Sequence, residues 1–231
     1  MIYDMNYWVM ILFIMLMMGL ASNYVQHTFR RYSKVPLRRR LTGAQAARLI
    51  LDRHGLNDVV VERIPGKLTD HYDPRERILR LSEPVYDSMS VSAVGVAAHE
   101  VGHAIQDKNH YAPLKLRQGV VPLANFGSTL GNILIMVGLV MGFMGATYTL
   151  AVIGLLLYSM GVMFALVTLP VEFNASNRAL VILTQTGIVT DEEHDATRKV
   201  LNAAALTYVA AAVGAILQLL YWAMVILNNR D

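Results

Sequence analysis

The sequence predicts a mainly α-helical membrane protein, with four transmembrane helices and a small cytoplasmic α+β unit. Two observations carry that prediction. Hydrophobic residues make up 55% of the 231-residue chain and charged residues 16%, against roughly 45–50% and about 25% in ordinary soluble domains. Charge is also absent from three long runs: 25 residues between Asp4 and Arg30, 54 between Arg117 and Glu172, and 30 between Lys199 and Arg230. The same composition excludes disorder, which needs low hydrophobicity and high charge. With no cysteine in the chain, disulfides, zinc fingers, iron–sulfur clusters and thiol nucleophiles are excluded. Any metal must be held by His, Asp or Glu.

A helix needs about 20 apolar residues to cross the hydrocarbon core. The first and third runs therefore fit one span each, about Tyr7–Val25 and about Ala203–Leu227. The middle run fits two, about Val121–Met144 and about Leu150–Thr168, joined by a turn at Gly145-Ala146-Thr147-Tyr148-Thr149. A signal peptide wants positive charge before its apolar core. Here only Asp4 precedes the first run, and Arg30, Arg31, Lys34, Arg38, Arg39 and Arg40 follow it. The first span is therefore expected to be an uncleaved anchor. Nineteen of the 20 Lys and Arg residues lie between spans one and two or three and four, and only Arg230 lies on the other side. By the positive-inside rule the polar mass faces the cytoplasm and both termini lie outside. Gly127/Gly131 and Gly138/Gly142 have the small-xxx-small spacing of closely packed helices, and Asn125 and Asn132 are expected to face other helices.

The expected organisation is transmembrane helix 1 in residues 1–25, the cytoplasmic α+β unit in 26–118, and transmembrane helices 2 and 3 in 119–170. A cytoplasmic helical segment follows in 171–202, then transmembrane helix 4 with a short tail in 203–231. Within the polar unit, Thr42-Gly43-Ala44-Gln45 reads as a capping box opening a helix over about Gly43–His54. Val59–Ile64 is a β-branched run ended by Pro65-Gly66, and Arg77–Ser82 alternates as a half-buried strand. A second helix is predicted from near Ser90 to about Lys108. Its apolar residues wrap around much of its surface, so it should be buried.

That helix contains His99-Glu100-Val101-Gly102-His103, the pattern H-E-x-x-H. Residues at i and i+4 lie on one helical face, so the two imidazoles can ligate one zinc ion. The intervening Glu100 projects where it can take a proton from water. With seven His in the chain, chance supplies such a pattern in about 0.6% of chains of this kind, an order-of-magnitude figure. A hydrogen-bonded polar cluster in a helix core is the bland alternative, but buried His, Glu and His are costly without partners. A catalytic zinc site needs a third protein ligand and an open position. Glu172 stands out, because it ends the 54-residue uncharged run where the third span should reach the cytoplasmic surface. Phe173–Arg178 reads as the start of a further helix. An interfacial Glu that only marks a helix end is the competing reading, and His71, His110 and His194 remain alternative ligands.

At these residues the chain resembles the YugP-type bacterial neutral zinc metallopeptidases, membrane relatives of the gluzincin clan. The resemblance covers most of the chain. It rests on Leu68-Thr69-Asp70-His71-Tyr72-Asp73-Pro74, Ala97–Ala104 around the motif, Pro170-Val171-Glu172-Phe173-Asn174-Ala175-Ser176, and Ala204–Ala210. It implies a zincin-like catalytic unit in a multi-pass protein of the bacterial inner membrane. It further implies zinc, one ion per chain, held by His99, His103 and Glu172, with Glu100 as general base. One departure matters. Many gluzincins carry an Asp four residues after the ligand Glu, where it orients a zinc-bound His, and here that position is Ser176.

Supporting residues are harder to assign. Asp70–Pro74, with His71, concentrates polar groups that would equally make a hairpin turn. Arg178 and His194 are candidate donors to a developing oxyanion, with solvated or ion-paired roles as the alternative. Tyr208 is another, with aromatic anchoring as its alternative. The expected activity is a membrane zinc endopeptidase acting on a peptide or protein substrate. The lipid bilayer is the other partner, and no nucleic acid is expected. A metal-stabilised non-catalytic scaffold and a zinc hydrolase of lipids or small amides are the competing classes. Pro113 and Pro122 bracket a short link from the motif helix to the second span, which puts the zinc close to the cytoplasmic membrane surface. Substrate is expected to add to a sheet edge, with Arg77–Ser82 preferred over Val59–Ile64. Oligomeric state, regulation and side-chain preference are not legible.

Overall fold

The computed structural model describes residues 4–229. Arg230, which the charge count placed opposite the others, lies outside them. The chain divides into two compact units. Met1–Leu20, Lys115–Leu169 and Tyr208–Asp231 form one, and Ala21–Leu114 with Pro170–Thr207 form the other. The elements in chain order are α1 (Met5–Tyr32), α2 (Gly43–Arg53), β1 (Val60–Ile64), β2 (His71–Asp73), β3 (Ile78–Ser82), α3 (Glu83–Tyr86), α4 (Val91–Lys108), α5 (Ala112–Phe143), α6 (Thr149–Gln185) and α7 (Asp191–Asn228).

Helices α1, α5, α6 and α7 are long and apolar enough to cross a membrane. Each extends past its apolar stretch. The link expected between Pro113 and Pro122 is helical, and Pro122 lies inside α5. Phe173–Arg178 does not start a new helix, because α6 runs on through Pro170 to Gln185. Proline removes one backbone donor and crowds the preceding turn. Beside an apolar run, the other backbone groups still find their partners most cheaply within the helix.

In the first unit, α5 and α6 meet along glycines. A Cβ on Gly138 would lie 2.1 Å from the Ala151 nitrogen, and one on Gly131 would lie 2.6 Å from the Tyr158 nitrogen. The small-residue spacing therefore does mark a close helix contact. Asn125 and Asn132 do not join it. Both are exposed, because Gly127, Gly131, Ile135 and Gly138 occupy the inward stripe and the two asparagines fall off it. Ile135, Leu139, Ala151, Trp222 and Ile226 form the core of this unit, with Tyr7 and Tyr158 packed against it.

The second unit is built around α4. Thr42 Oγ1 accepts from the Gln45 backbone N–H, and Gln45 Oε1 accepts from the Thr42 N–H, so the capping box forms as predicted. It starts α2 with Ala46, Ala47, Ile50 and Leu51 turned inward, all fully buried. Ser90 caps α4 by accepting from the Ala93 N–H. The sheet order is β1-β3-β2, with β1 parallel and β2 antiparallel to β3. The Arg77–Ser82 segment expected to be an edge is thus the central strand, and β1 and β2 are the edges. Its alternating Leu79 and Leu81 are fully buried. Removing either side chain should cost ~2–5 kcal/mol of stability. Asp73 opens the β2–β3 hairpin by accepting from the Arg75 and Glu76 N–H groups, so this part of the Asp70–Pro74 run does the work of a turn. Asp70, at the other end of β2, accepts from the Ser82 N–H at 2.7 Å and from its hydroxyl.

Candidate metal centre

All the ligand candidates brought together lie in the second unit. On α4, His99 and His103 stand one turn apart, with ring centroids 4.8 Å apart and planes at 87°. Beyond Pro170, α6 presents Glu172 and, four residues on, Ser176. Glu172 Oε2 lies 3.2 Å from His99 Nε2 and 3.5 Å from His103 Nε2, and one ligand atom from each residue falls within 4.8 Å of the others. Zinc binds imidazole nitrogen and carboxylate oxygen at about 2.0–2.1 Å in tetrahedral sites, so two of its ligands sit about 3.3–3.4 Å apart. The two separations from Glu172 bracket that value.

The second ring nitrogens are also held. His99 Nδ1 lies 3.0 Å from Ser176 Oγ, and His103 Nδ1 lies 3.0 Å from Gln106 Oε1. Ser176 thus stands on the side of the His99 ring away from the nitrogen that faces Glu172. Metal-binding histidines are typically oriented by such a bond on the far side of the ring. The electrostatics agree with a cation site. Glu172 is 2% exposed, and burial alone would push its carboxyl up. The two imidazoles outweigh that and hold it below the usual carboxylate range. Burial would pull His103 down, but the Glu172 carboxylate raises it above its ordinary value. A buried carboxylate kept ionised between two imidazoles favours positive charge at its centre.

Glu100 is 8% exposed and directly follows the first imidazole. Asp70 is close enough to feel it. Burial pushes the Asp70 carboxyl up, the Ser82 hydrogen bonds offset part of that, and the Glu100 charge adds to the rise. Tyr72 on β2 donates to Asp107 at 3.1 Å, tying the edge strand to the end of α4. Burial, reinforced by the Asp107 charge, pushes the Tyr72 hydroxyl up.

Gly102 lets the two helices approach. A Cβ there would lie 2.7 Å from the Ala175 carbonyl oxygen, a backbone atom that cannot rotate away. Gly102→Ala should part α4 from α6 at a cost of about 1–3 kcal/mol. Gly95→Ala would meet only the Thr197 methyl at 3.4 Å and should be tolerated. Thermal unfolding in detergent checks the pair: equal melting temperatures for the two variants would refute the close approach.

The other sequence candidates do not join the ligand group. His71 is exposed on β2, with Nδ1 2.8 Å from the Thr69 carbonyl oxygen. His110 is exposed beyond the end of α4, with φ +52°. His194 is in the first turn of α7, 3.7 Å from Asp195. Arg178 Nε donates to Asn174 Oδ1 at 2.7 Å. Tyr208 belongs to the other unit. Sequence reading missed Gln106 and Asn174. The available signal was Gln106's spacing, three residues past His103 on the same helical face.

Two histidines one turn apart on a buried helix, with a carboxylate from a second helix, make a group that could hold a metal ion, with the His₂Glu donor set found in zinc metallopeptidases. A family model described as "Putative neutral zinc metallopeptidase" matches residues 7–227. The chain belongs to that family. It is also 48% identical, over 211 residues, to the "Putative membrane protease YugP" of Bacillus subtilis (strain 168), covering 91% of this chain and 92% of the relative. No solved structure matches the chain.

Proposed function

We propose that this protein is a zinc-dependent endopeptidase of the bacterial inner membrane. It would hydrolyse flexible or membrane-proximal segments of proteins. The observation that carries the proposal is the convergence of His99, His103 and Glu172 with Glu100 beside them. The donor set fits zinc, and the three residues would hold one ion. Bound there, zinc supplies a Lewis acid that polarises a carbonyl and acidifies water. Glu100 takes the proton from the attacking water and delivers it to the leaving amine. Ser176 and Gln106 hold the two imidazoles in orientation, and the burial of Glu172 keeps bulk water from competing for its carboxylate. A purely structural metal would have no use for Glu100, which argues against a non-catalytic scaffold.

Nineteen of 20 basic residues support a cytoplasmic catalytic unit with both termini outside. An extended substrate would add to a sheet edge. With β3 central, β2 is the edge tied to α4, through Tyr72 and Asp107. Substrates would be cytoplasmic tails or juxtamembrane segments. The test uses the purified full-length protein with zinc and substrates whose cleavable segment sits at increasing distances from a membrane anchor. Cleavage is expected within the first residues outside the bilayer. Cleavage near the middle of a transmembrane segment would refute the placement. Zinc-loaded protein that cuts none of these peptides but hydrolyses lipids or small amides would refute the peptidase reading.

A further inference from the structure

We infer that Gln106, buttressed by Asn174 and Arg178, fixes the tautomer in which His103 meets the metal. The inference rests on reading His99, His103 and Glu172 as a metal centre. Gln106 is fully buried on α4. Its Nε2 donates to the Val171 carbonyl at 2.8 Å and to Asn174 Oδ1 at 3.0 Å, while its Oε1 faces His103 Nδ1 at 3.0 Å. A backbone carbonyl can only accept, so Val171 determines which end of the Gln106 amide is nitrogen. A guanidinium can only donate. Arg178 Nε, 2.7 Å from Asn174 Oδ1, therefore determines which end of the Asn174 amide is oxygen. The two assignments are independent, and they agree.

Gln106 Oε1 must then be the acceptor, and the proton it accepts sits on His103 Nδ1. In a neutral imidazole the other nitrogen carries the lone pair. That nitrogen is Nε2, the atom facing Glu172. Neutral His103 then turns its Nε2 lone pair toward Glu172, which is the form that binds a metal. Ser176 does not do this for His99. A hydroxyl donates or accepts, so its contact with His99 Nδ1 orients the ring and leaves the tautomer open. Gln106, Asn174 and Arg178 are positioning residues.

The test reads ¹⁵N-histidine NMR of the zinc-free full-length protein in micelles, beside zinc affinity by competition with a chromophoric chelator. The neutral form of wild-type His103 should carry its proton on Nδ1. Gln106→Met keeps the length and loses the acceptor. It should shift the proton to Nε2, where Glu172 can accept it, and weaken zinc binding about 10–100-fold, the range for a partner behind a ligand. Gln106→Glu keeps an acceptor opposite Nδ1 but gives up the bond to Val171. It should melt lower, as Gln106→Met does, yet keep the Nδ1 tautomer and bind zinc within about threefold of wild type, well short of that range. A packing role alone would weaken zinc binding equally in both variants. Three results each overturn the inference: a His103 proton that stays on Nδ1 in Gln106→Met, wild-type zinc affinity in that variant, or equal loss of affinity in Gln106→Glu. A protein that binds zinc and cuts no peptide would fail the peptidase reading while leaving these readouts intact.

Discussion

Glu100→Gln is expected to retain zinc and to lose peptide hydrolysis by at least about three orders of magnitude, within the 10²–10⁴-fold typical of general acid–base catalysis. The change is nearly isosteric. Glu100 is buried on α4 beside His99 but is not one of the three convergent ligand residues, so the His99–Ser176 and His103–Gln106 contacts should survive. What disappears is the carboxylate that takes the proton from water. Gln can accept a hydrogen bond but cannot hold that proton. Loss of the Glu100 charge should also relieve Asp70, whose carboxyl that charge helps push up. The measurement pairs turnover of a fluorogenic peptide with zinc content by mass spectrometry. A variant that keeps zinc and more than about a tenth of wild-type activity would remove Glu100 from the mechanism, since the loss would fall below the smallest general-base contribution.

The features legible in the sequence were those set by short-range rules or by the solvent. The uncharged runs located four long apolar helices because hydrocarbon excludes charge whatever the fold. Thr42/Gln45 and Ser90 located the starts of α2 and α4 because a cap is a contact across three residues. The H-E-x-x-H spacing put two imidazoles on one helical face for the same reason. Features decided by distant pairing were not legible. The preference for Arg77–Ser82 as an edge failed because strand order depends on which short strand reaches the middle, and β1 pairs parallel with β3 although β2 lies between them in sequence. Phe173–Arg178 read as the start of a further helix, yet α6 continues through Pro170 and carries Glu172 and Ser176 one turn apart. The Gln106–Asn174 contact was missed because it exists only where α4 and α6 cross, 68 residues apart in the chain. Arg178, a candidate oxyanion donor with an ion-paired or solvated role as its alternative, donates its Nε to Asn174.

Glu172→Ala is expected to lower zinc occupancy as far as His103→Ala does, and further than the about 10–100-fold that a residue behind a ligand is worth. Three groups share the charge and geometry of the site, and Glu172 supplies its anionic oxygen. With alanine there, two neutral imidazoles would face the metal alone, leaving fewer than the three protein ligands of a catalytic zinc site. No second carboxylate and no third imidazole joins the ligand group among the described residues. His71→Ala and His194→Ala should leave occupancy unchanged, since both side chains are engaged elsewhere, with the Thr69 carbonyl and Asp195 respectively. Glu172→Asp separates reach from charge. It keeps the anion but draws it back by one methylene, about 1.5 Å along the side chain, more than the roughly 0.2 Å tolerance of a zinc–ligand distance. It should bind zinc more weakly than wild type and more tightly than Glu172→Ala. Zinc content of the five purified variants, measured after dialysis against one chelator concentration, orders them. Full occupancy in Glu172→Ala would remove Glu172 from the ligand set and return the third position to His71 or His194.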